Sequence, residues 1–136
     1  MRQVFADTVF WIALVRPNDQ WRAVALKAKK DLGSVRLVTT DEVLTEFLAA
    51  LSGGGERLRE LAVKMVRTIQ GDPNTTVVPQ SRDSFLEVTK LYEQLPDKAY
   101  SLTDCISMNT MRAKGITDIL TTDHHFRQEG FVILMT

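Results

Sequence analysis

The sequence predicts an α/β fold in which a mainly parallel five-stranded sheet is covered by helices on both faces. Five short apolar runs of strand length alternate with longer segments of helical periodicity, which is the pattern of parallel strands joined by helices. The 136 residues suit one domain, and no internal repeat, linker or low-complexity segment divides them. We therefore expect a single domain over residues 1–136.

The first strand and the two helices after it occupy the N-terminal quarter of the chain. Residues 4–6 form an apolar run that Asp7 closes, and a helical segment begins after Thr8. Pro17 and Asn18 interrupt that helix. A second helix follows within residues 19–33, and its periodicity places Trp21 on the inward side.

The second strand covers residues 35–38 and leads into an apolar helix. Thr39, Thr40 and Asp41 supply capping chemistry for that helix, which runs to about Ser52. Residues 53–55 are glycines and form a loop. An amphipathic helix follows over residues 56–70.

That amphipathic helix carries a basic stripe, which consists of Arg57, Lys64 and Arg67. Two interpretations remain open for the stripe. It is either an ordinary solvated helix face or a surface that binds RNA phosphates.

The C-terminal half contains three further strands. A strand at residues 75–78 precedes a helix that starts at Ser81 and ends near Gln94. Ser101 and Gly115 are the expected caps of the next helix. A short strand ending at residue 120 then leads into an acidic turn, and residues 131–135 form the last strand.

Composition limits the cellular setting and the partners. Seventeen basic and seventeen acidic side chains cancel, so a nucleic acid would have to be held by a local basic surface. The single cysteine, Cys105, cannot form an internal disulfide and fits a reducing compartment. No segment approaches the roughly 18 apolar residues of a membrane span, and no signal-peptide pattern is present. We expect a cytoplasmic protein with no membrane partner.

Four acidic residues occupy positions where an acid needs an explanation. Asp7 and Asp123 directly follow strands, Asp104 lies in the first turn of a helix, and Glu46 is the only charge in its apolar helix segment. Parallel sheets place their sites at the carboxyl ends of the strands, so these four side chains are expected to converge there. Asp118 begins its strand, about 16 Å from Asp123 at roughly 3.3 Å per residue, and is excluded.

Clustered carboxylates repel one another and require a cation. Two of them about 5 Å apart repel by about 3 kcal/mol at an effective dielectric constant near 20. No arginine or lysine stands beside these acids, and no Cys or His pattern has zinc spacing. Oxygen ligands point to Mg2+ or Mn2+, which act in phosphodiester hydrolysis. Separate helix caps and surface acids are the alternative.

The segments ADTVFWIAL, VLTEFLAAL, YSLTDCI and LTTDHHF resemble the PIN domain, and most closely the VapC-type toxins of bacterial toxin-antitoxin pairs. The resemblance covers essentially the whole chain. It implies a three-layer α/β/α fold with strand order 3-2-1-4-5 and a Mg2+- or Mn2+-dependent endoribonuclease acting on an RNA substrate. It also implies a homodimer that is inhibited by a small cognate antitoxin protein.

The resemblance also assigns roles to individual residues. It implies that Asp7, Asp104 and Asp123 bind the metal, and that Glu46 positions the metal or the attacking water. Two hydroxyl residues beside these acids, Thr8 and Thr122, are expected to orient carboxylates or bind phosphate. Of two further residues in these segments, Ser101 is expected only to cap a helix. His125 is expected to pack, and metal ligation by a lone histidine is the alternative.

Other functions remain open at this point. A phospho-receiver domain needs an acid pair after the first strand, and a haloacid-dehalogenase-type phosphatase needs Asp-x-Asp there; the sequence Ala6-Asp7-Thr8-Val9 has neither. An RNA-processing PIN nuclease outside any toxin pair remains, as does a PIN-fold module that binds RNA or a partner without cutting.

Overall fold

A five-stranded sheet and seven helices account for most of the chain. The computed structural model describes residues 1–136. The strands are β1 (Gln3–Ala6), β2 (Arg36–Thr40), β3 (Thr75–Val78), β4 (Asp118–Leu120) and β5 (Val132–Ile133). The helices are α1 (Thr8–Val15), α2 (Arg22–Leu32), α3 (Asp41–Leu51), α4 (Glu56–Gly71), α5 (Arg82–Gln94), α6 (Leu102–Lys114) and α7 (His125–Gln128).

All strand pairs are parallel, and the strands lie in the order β3-β2-β1-β4-β5. The central strand β1 pairs through Phe5 with Val38 on one side and with Ile119 on the other. The chain moves from β1 outward to β2 and β3, and then returns to the other side of β1 with β4. The carboxyl ends of β1 and β4 therefore flank the point where the strand order reverses, which is where open α/β sheets form their crevice.

The core lies on both faces of the sheet. Val4, Phe5 and Ala6 of β1 are successive residues and all are fully buried, so neither face of this strand meets solvent. Helix α1 packs against α2, α3 and α4, while α5 packs against α6. This arrangement gives helix, sheet and helix layers and confirms the predicted three-layer α/β/α fold.

Three helices have the caps that the sequence predicts. The hydroxyls of Thr40 and Ser81 accept hydrogen bonds from backbone N–H groups in the first turns of α3 and α5, at 3.1 and 3.0 Å. Ser101 caps α6 in a reciprocal pair with Asp104. Gly115 ends α6 at φ +67°, a left-handed conformation that glycine adopts without strain.

Three expectations about local structure are wrong. Trp21 is 36% exposed rather than inward, because the Asp19 carboxylate accepts its backbone N–H in a turn and α2 begins only at Arg22. The turn after β4 contains α7, a helix too short to show periodicity. The last strand has only two residues, which pair with Asp118 and Ile119 of β4.

None of the seven helices combines the length and the apolar character needed to cross a bilayer.

Candidate functional site

The structure brings the four acids of the sequence analysis together at the carboxyl edge of the sheet. Asp7 follows β1, Glu46 lies on α3, Asp104 is in the first turn of α6, and Asp123 follows β4. Asp7 is close enough to Asp104 and Glu46 for their negative charges to raise its pKa, and Asp104 feels Asp123 and Glu46 in the same way. The acids thus come from four separate elements and share one electrostatic environment.

Asp7 is the most deeply buried of the four. Its backbone N–H donates to the carbonyl of Leu120 at 3.1 Å, which fixes it between β1 and β4. Only 6% of the residue is exposed, and this burial raises the pKa of Asp7 from 3.8 to about 7. Hydrogen bonds from the Thr8 backbone and the Thr121 hydroxyl oppose that rise, and the charges of Asp104 and Glu46 add to it.

Asp104 has a structural and an electrostatic role at once. Its carboxylate accepts the Ser101 backbone N–H at 3.0 Å, while the Ser101 hydroxyl accepts the Asp104 N–H at 3.0 Å. Burial is the main cause that raises the pKa of Asp104; the Ser101 hydrogen bonds lower it, and the charges of Asp123 and Glu46 raise it further. The capping pair therefore holds a partly buried carboxylate in one orientation beside other acids.

Two threonine hydroxyls orient the carboxylates. Thr8, the first residue of α1, donates its hydroxyl to Glu46 at 2.5 Å. Thr121 donates its hydroxyl to Asp7 at 2.8 Å and accepts the backbone N–H of Asp123 at 3.1 Å. These contacts tie the acids of three elements to one another.

Thr122, which was expected to orient a carboxylate, does not do so in the structure. The hydroxyl of Thr122 makes no hydrogen bond to an acid, and the neighbouring Thr121 makes those contacts instead. Thr121 directly follows β4 and is fully buried, whereas Thr122 is partly exposed. Sequence reasoning missed it because TTD offers two equivalent hydroxyls, and only the pleat of the strand decides which one faces the acids.

His125 packs as expected but also reaches the acids. Its ring makes an edge contact with the ring of Tyr100, with 5.2 Å between centroids. Its backbone N–H and its Nδ1 lie 2.9 and 3.2 Å from the same Asp123 carboxylate oxygen. A ring nitrogen of His125 and carboxylate oxygens of Asp104 and Asp123 all lie within 4.8 Å of one another.

The residues outside the cluster behave differently. Arg57, Lys64 and Arg67 are exposed on α4 and form no ion pair with any of the four acids. The excluded Asp118 pairs instead with Arg2, with a guanidinium nitrogen at 2.5 Å. The structure thus separates the basic stripe and Asp118 from the clustered acids.

The donor set fits a divalent cation. No lysine or arginine pairs with the four acids, so a partly buried group of carboxylates has no cationic side chain to offset its charge. Carboxylate oxygens are the preferred ligands of Mg2+ and Mn2+. Asp104, Asp123 and His125 already have ligand atoms at a separation that one ion can bridge.

Known structures share this fold. The crystal structure of VapC20 from Mycobacterium tuberculosis, described as a sarcin-ricin loop cleaving toxin, has a TM-score of 0.83 and 25% sequence identity, covering 95% of this chain and 96% of that chain. VapBC2 from Rickettsia felis, solved with a DNA fragment from its promoter, has a TM-score of 0.59 and 14% identity, with 96% of both chains covered.

Two further comparisons used known proteins and protein families. No protein among the curated ones compared matches this chain. The PIN-domain family model, however, matches residues 4–131. That match includes all four acids and extends from β1 to the residue before β5. The chain therefore belongs to the PIN-domain family.

Proposed function

We propose that this protein is a Mg2+- or Mn2+-dependent endoribonuclease and the toxin of a toxin-antitoxin pair. The observation that carries the proposal is the cluster of Asp7, Glu46, Asp104 and Asp123, which lies at the carboxyl edge of the sheet without a cationic partner. Membership of the PIN family and the likeness to a toxin that cleaves the sarcin-ricin loop support it.

In this proposal each acid has a stated task. Asp104, Asp123 and Asp7 hold the metal, and Glu46, fixed by the Thr8 hydroxyl, orients the metal or the attacking water. The bound ion would supply the positive charge that the RNA phosphate and the leaving oxygen need, and would lower the pKa of bound water. The threonines and the Ser101 cap keep the carboxylates in place before substrate arrives.

The test is cleavage of RNA by purified protein that is free of any antitoxin. End-labelled total RNA, and separately a hairpin with the sarcin-ricin loop sequence, would be incubated with Mg2+, Mn2+ or chelator. We expect discrete fragments that appear with metal and disappear with chelator. An intact RNA pool and an intact hairpin in the presence of saturating Mn2+ would count against the nuclease.

The partner in this proposal is a small antitoxin that binds an apolar groove. A groove of about 340 Å³ lies between α3 and α4, and Leu48, Ala62 and Val63 line it together with Arg59. Leu48 and Val63 are 36% and 40% exposed. Burial of these exposed apolar side chains would favour the binding of an apolar segment of a partner protein. A co-expressed antitoxin should therefore be retained by wild type and lost by Leu48→Asp, while metal-dependent cleavage by the free protein persists.

The protein is also proposed to be a homodimer. Phe85, Leu86 and Tyr92 on α5 are 44%, 49% and 53% exposed, so this helix offers apolar surface for a second copy. Light scattering on the purified protein should give twice the mass of one chain, and Phe85→Asp with Leu86→Asp should give the mass of one.

A further inference from the structure

His125 is placed among the acids in a way that its sequence position does not reveal. It is the first residue of α7, two positions after Asp123. One of its ring nitrogens lies within 4.8 Å of carboxylate oxygens of both Asp104 and Asp123. Three potential donors from α6, the segment after β4, and α7 therefore surround one point.

The ring is held in this position from two sides. Asp123 accepts the backbone N–H of His125 at 2.9 Å, and its carboxylate lies 3.2 Å from Nδ1. On the other side the ring rests against Tyr100, whose hydroxyl donates to Glu129 at 2.9 Å and contacts Gln128 at 3.2 Å. The orientation of the imidazole thus depends on a network that includes a buried tyrosine.

The adjacent histidine provides a contrast. His124 is exposed, its Nδ1 lies 3.3 Å from a guanidinium nitrogen of Arg127, and it does not belong to the group of potential ligands formed by Asp104, Asp123 and His125. His125 is less exposed, with about a third of its side chain accessible, so a small ion can still reach it. Of the two consecutive histidines, only His125 is positioned to bind the same metal ion as Asp104 and Asp123.

We propose that His125 is a nitrogen ligand of the metal and biases the site toward first-row transition ions over Mg2+. The inference rests on the proposed function, because it assumes that the acids bind a divalent cation. Mg2+ prefers an all-oxygen, octahedral set of ligands and binds imidazole weakly. Mn2+, Co2+ and Ni2+ accept imidazole with rising affinity in that order. A nitrogen donor beside two carboxylates therefore raises the affinity of the site for these ions more than for Mg2+.

The direct test is electron spin echo spectroscopy of Mn2+ bound to the tag-free protein at about pH 8, above the usual imidazole pKa. Modulation from a coordinated imidazole nitrogen is expected in wild type. It should persist in His124→Asn and disappear in His125→Asn. Mn2+ that binds to wild type without nitrogen modulation would overturn the inference, as would loss of the modulation in His124→Asn alone.

Metal titrations give a second readout that does not depend on cleavage. His125→Asn is expected to weaken Mn2+ binding by about tenfold or more and Mg2+ binding by less than about threefold. His125→Asp restores an all-oxygen set and should shift the preference toward Mg2+. Equal losses for both ions in His125→Asn would contradict a nitrogen ligand.

The outcomes separate this inference from the proposed function. If wild type binds neither Mn2+ nor Mg2+, the proposal of a metal site is wrong, and the inference about His125 is wrong with it. If Mn2+ binds and Asp104→Asn abolishes it, but no nitrogen is detected, only the role of His125 is wrong. The wild-type and His124→Asn spectra decide the matter even if His125 variants fold poorly.

Discussion

Asp7 has a carboxyl group in the protein interior with no basic side chain beside it. Its contacts are the hydroxyl of Thr121, the N–H of Thr8 and the negative charges of Asp104 and Glu46. Desolvation outweighs the two hydrogen bonds, so the pKa rises to about 7. The ionised form that a metal would need is therefore the form that destabilises the metal-free protein.

This position of the Asp7 pKa predicts a pH dependence of stability. In the unfolded chain Asp7 loses its proton near 3.8, and in the folded chain near 7. The folded state binds more protons between those values, so the unfolding free energy falls as the pH rises through them. The difference between the two pKa values of Asp7 corresponds to at most about 4 kcal/mol of unfolding free energy.

Asp7→Asn removes that titration while keeping a similar shape. In chelator, the stability advantage of Asp7→Asn over wild type should grow by about 2 to 4 kcal/mol between about pH 4 and about pH 8. Urea denaturation at both pH values measures it. An advantage that is the same at both would mean that Asp7 titrates normally in the folded protein.

Thr121 offers a second test, with its neighbour as a matched control. Thr121→Val removes the donor to Asp7 and the acceptor of the Asp123 N–H, so it should lower the unfolding free energy by about 1 to 3 kcal/mol and weaken metal binding. Thr122→Val removes a hydroxyl with no such partner and should cost less than about 0.5 kcal/mol. Equal effects of the two substitutions on metal affinity would refute the role of Thr121.

At the scale of elements, α6 combines a helix start with part of the site. The Ser101–Asp104 pair satisfies backbone N–H groups at the N-terminus of the helix and fixes the Asp104 carboxylate. Helix α5 has a comparable serine cap, Ser81, whose hydroxyl accepts the N–H of Ser84 and contacts none of the four acids. The two caps allow the stability and the site contributions to be separated.

Ser101→Ala and Ser81→Ala should each lower stability by about 1 kcal/mol because each removes a cap. Only Ser101→Ala should also weaken metal binding, because the Asp104 N–H loses its acceptor and the Asp104 carboxylate is then held only by the backbone N–H of residue 101. Thermal unfolding and calorimetric metal titration measure the two quantities. If Ser81→Ala reduced metal affinity as much as Ser101→Ala did, general destabilisation would explain both.

The basic stripe on α4 remains a prediction about RNA. Arg57→Ala with Lys64→Ala should weaken RNA binding and reduce the slope of log affinity against log salt by about 1 to 1.5 for a single strand. Lys29→Ala with Lys30→Ala removes the same charge from exposed positions on α2 and is the control. Binding would be measured by fluorescence anisotropy over a salt series, with both pairs of substitutions made in the Asp104→Asn protein so that the RNA stays intact. An equal effect of the two pairs would indicate that RNA binding depends only on overall charge and not on the basic stripe.

Local sequence signals predicted the elements well and their contacts less well. The parallel sheet and the caps of α3, α5 and α6 follow from short apolar runs and from side chains that act within a few residues. The exposure of Trp21 depends on a local turn, and the strand pleat decides that Thr121 rather than Thr122 contacts the acids. The approach of His125 to Asp104 depends on contacts between elements. No single segment of sequence contains that information.

At the scale of the whole molecule, the topology explains why acids far apart in sequence meet. The order β3-β2-β1-β4-β5 places β1 beside β4, so Asp7 and Asp123 leave the sheet side by side although more than a hundred residues separate them. Helices α3 and α6 contact each other and bring Glu46 and Asp104 close to these acids. The family resemblance predicted this order, and composition alone could not.

The most direct test of the central claim compares two acid-to-amide variants on one RNA. Asp104→Asn alters the clustered acids, whereas Asp118→Asn alters the acid at the opposite end of β4, which pairs with Arg2. With Mn2+ or Mg2+, wild type and Asp118→Asn should release the same fragments. Asp104→Asn should cut at least about a hundredfold more slowly, because in the proposed site Asp104 is a metal ligand. Normal cutting by folded Asp104→Asn would show that these acids are not the site of RNA cleavage.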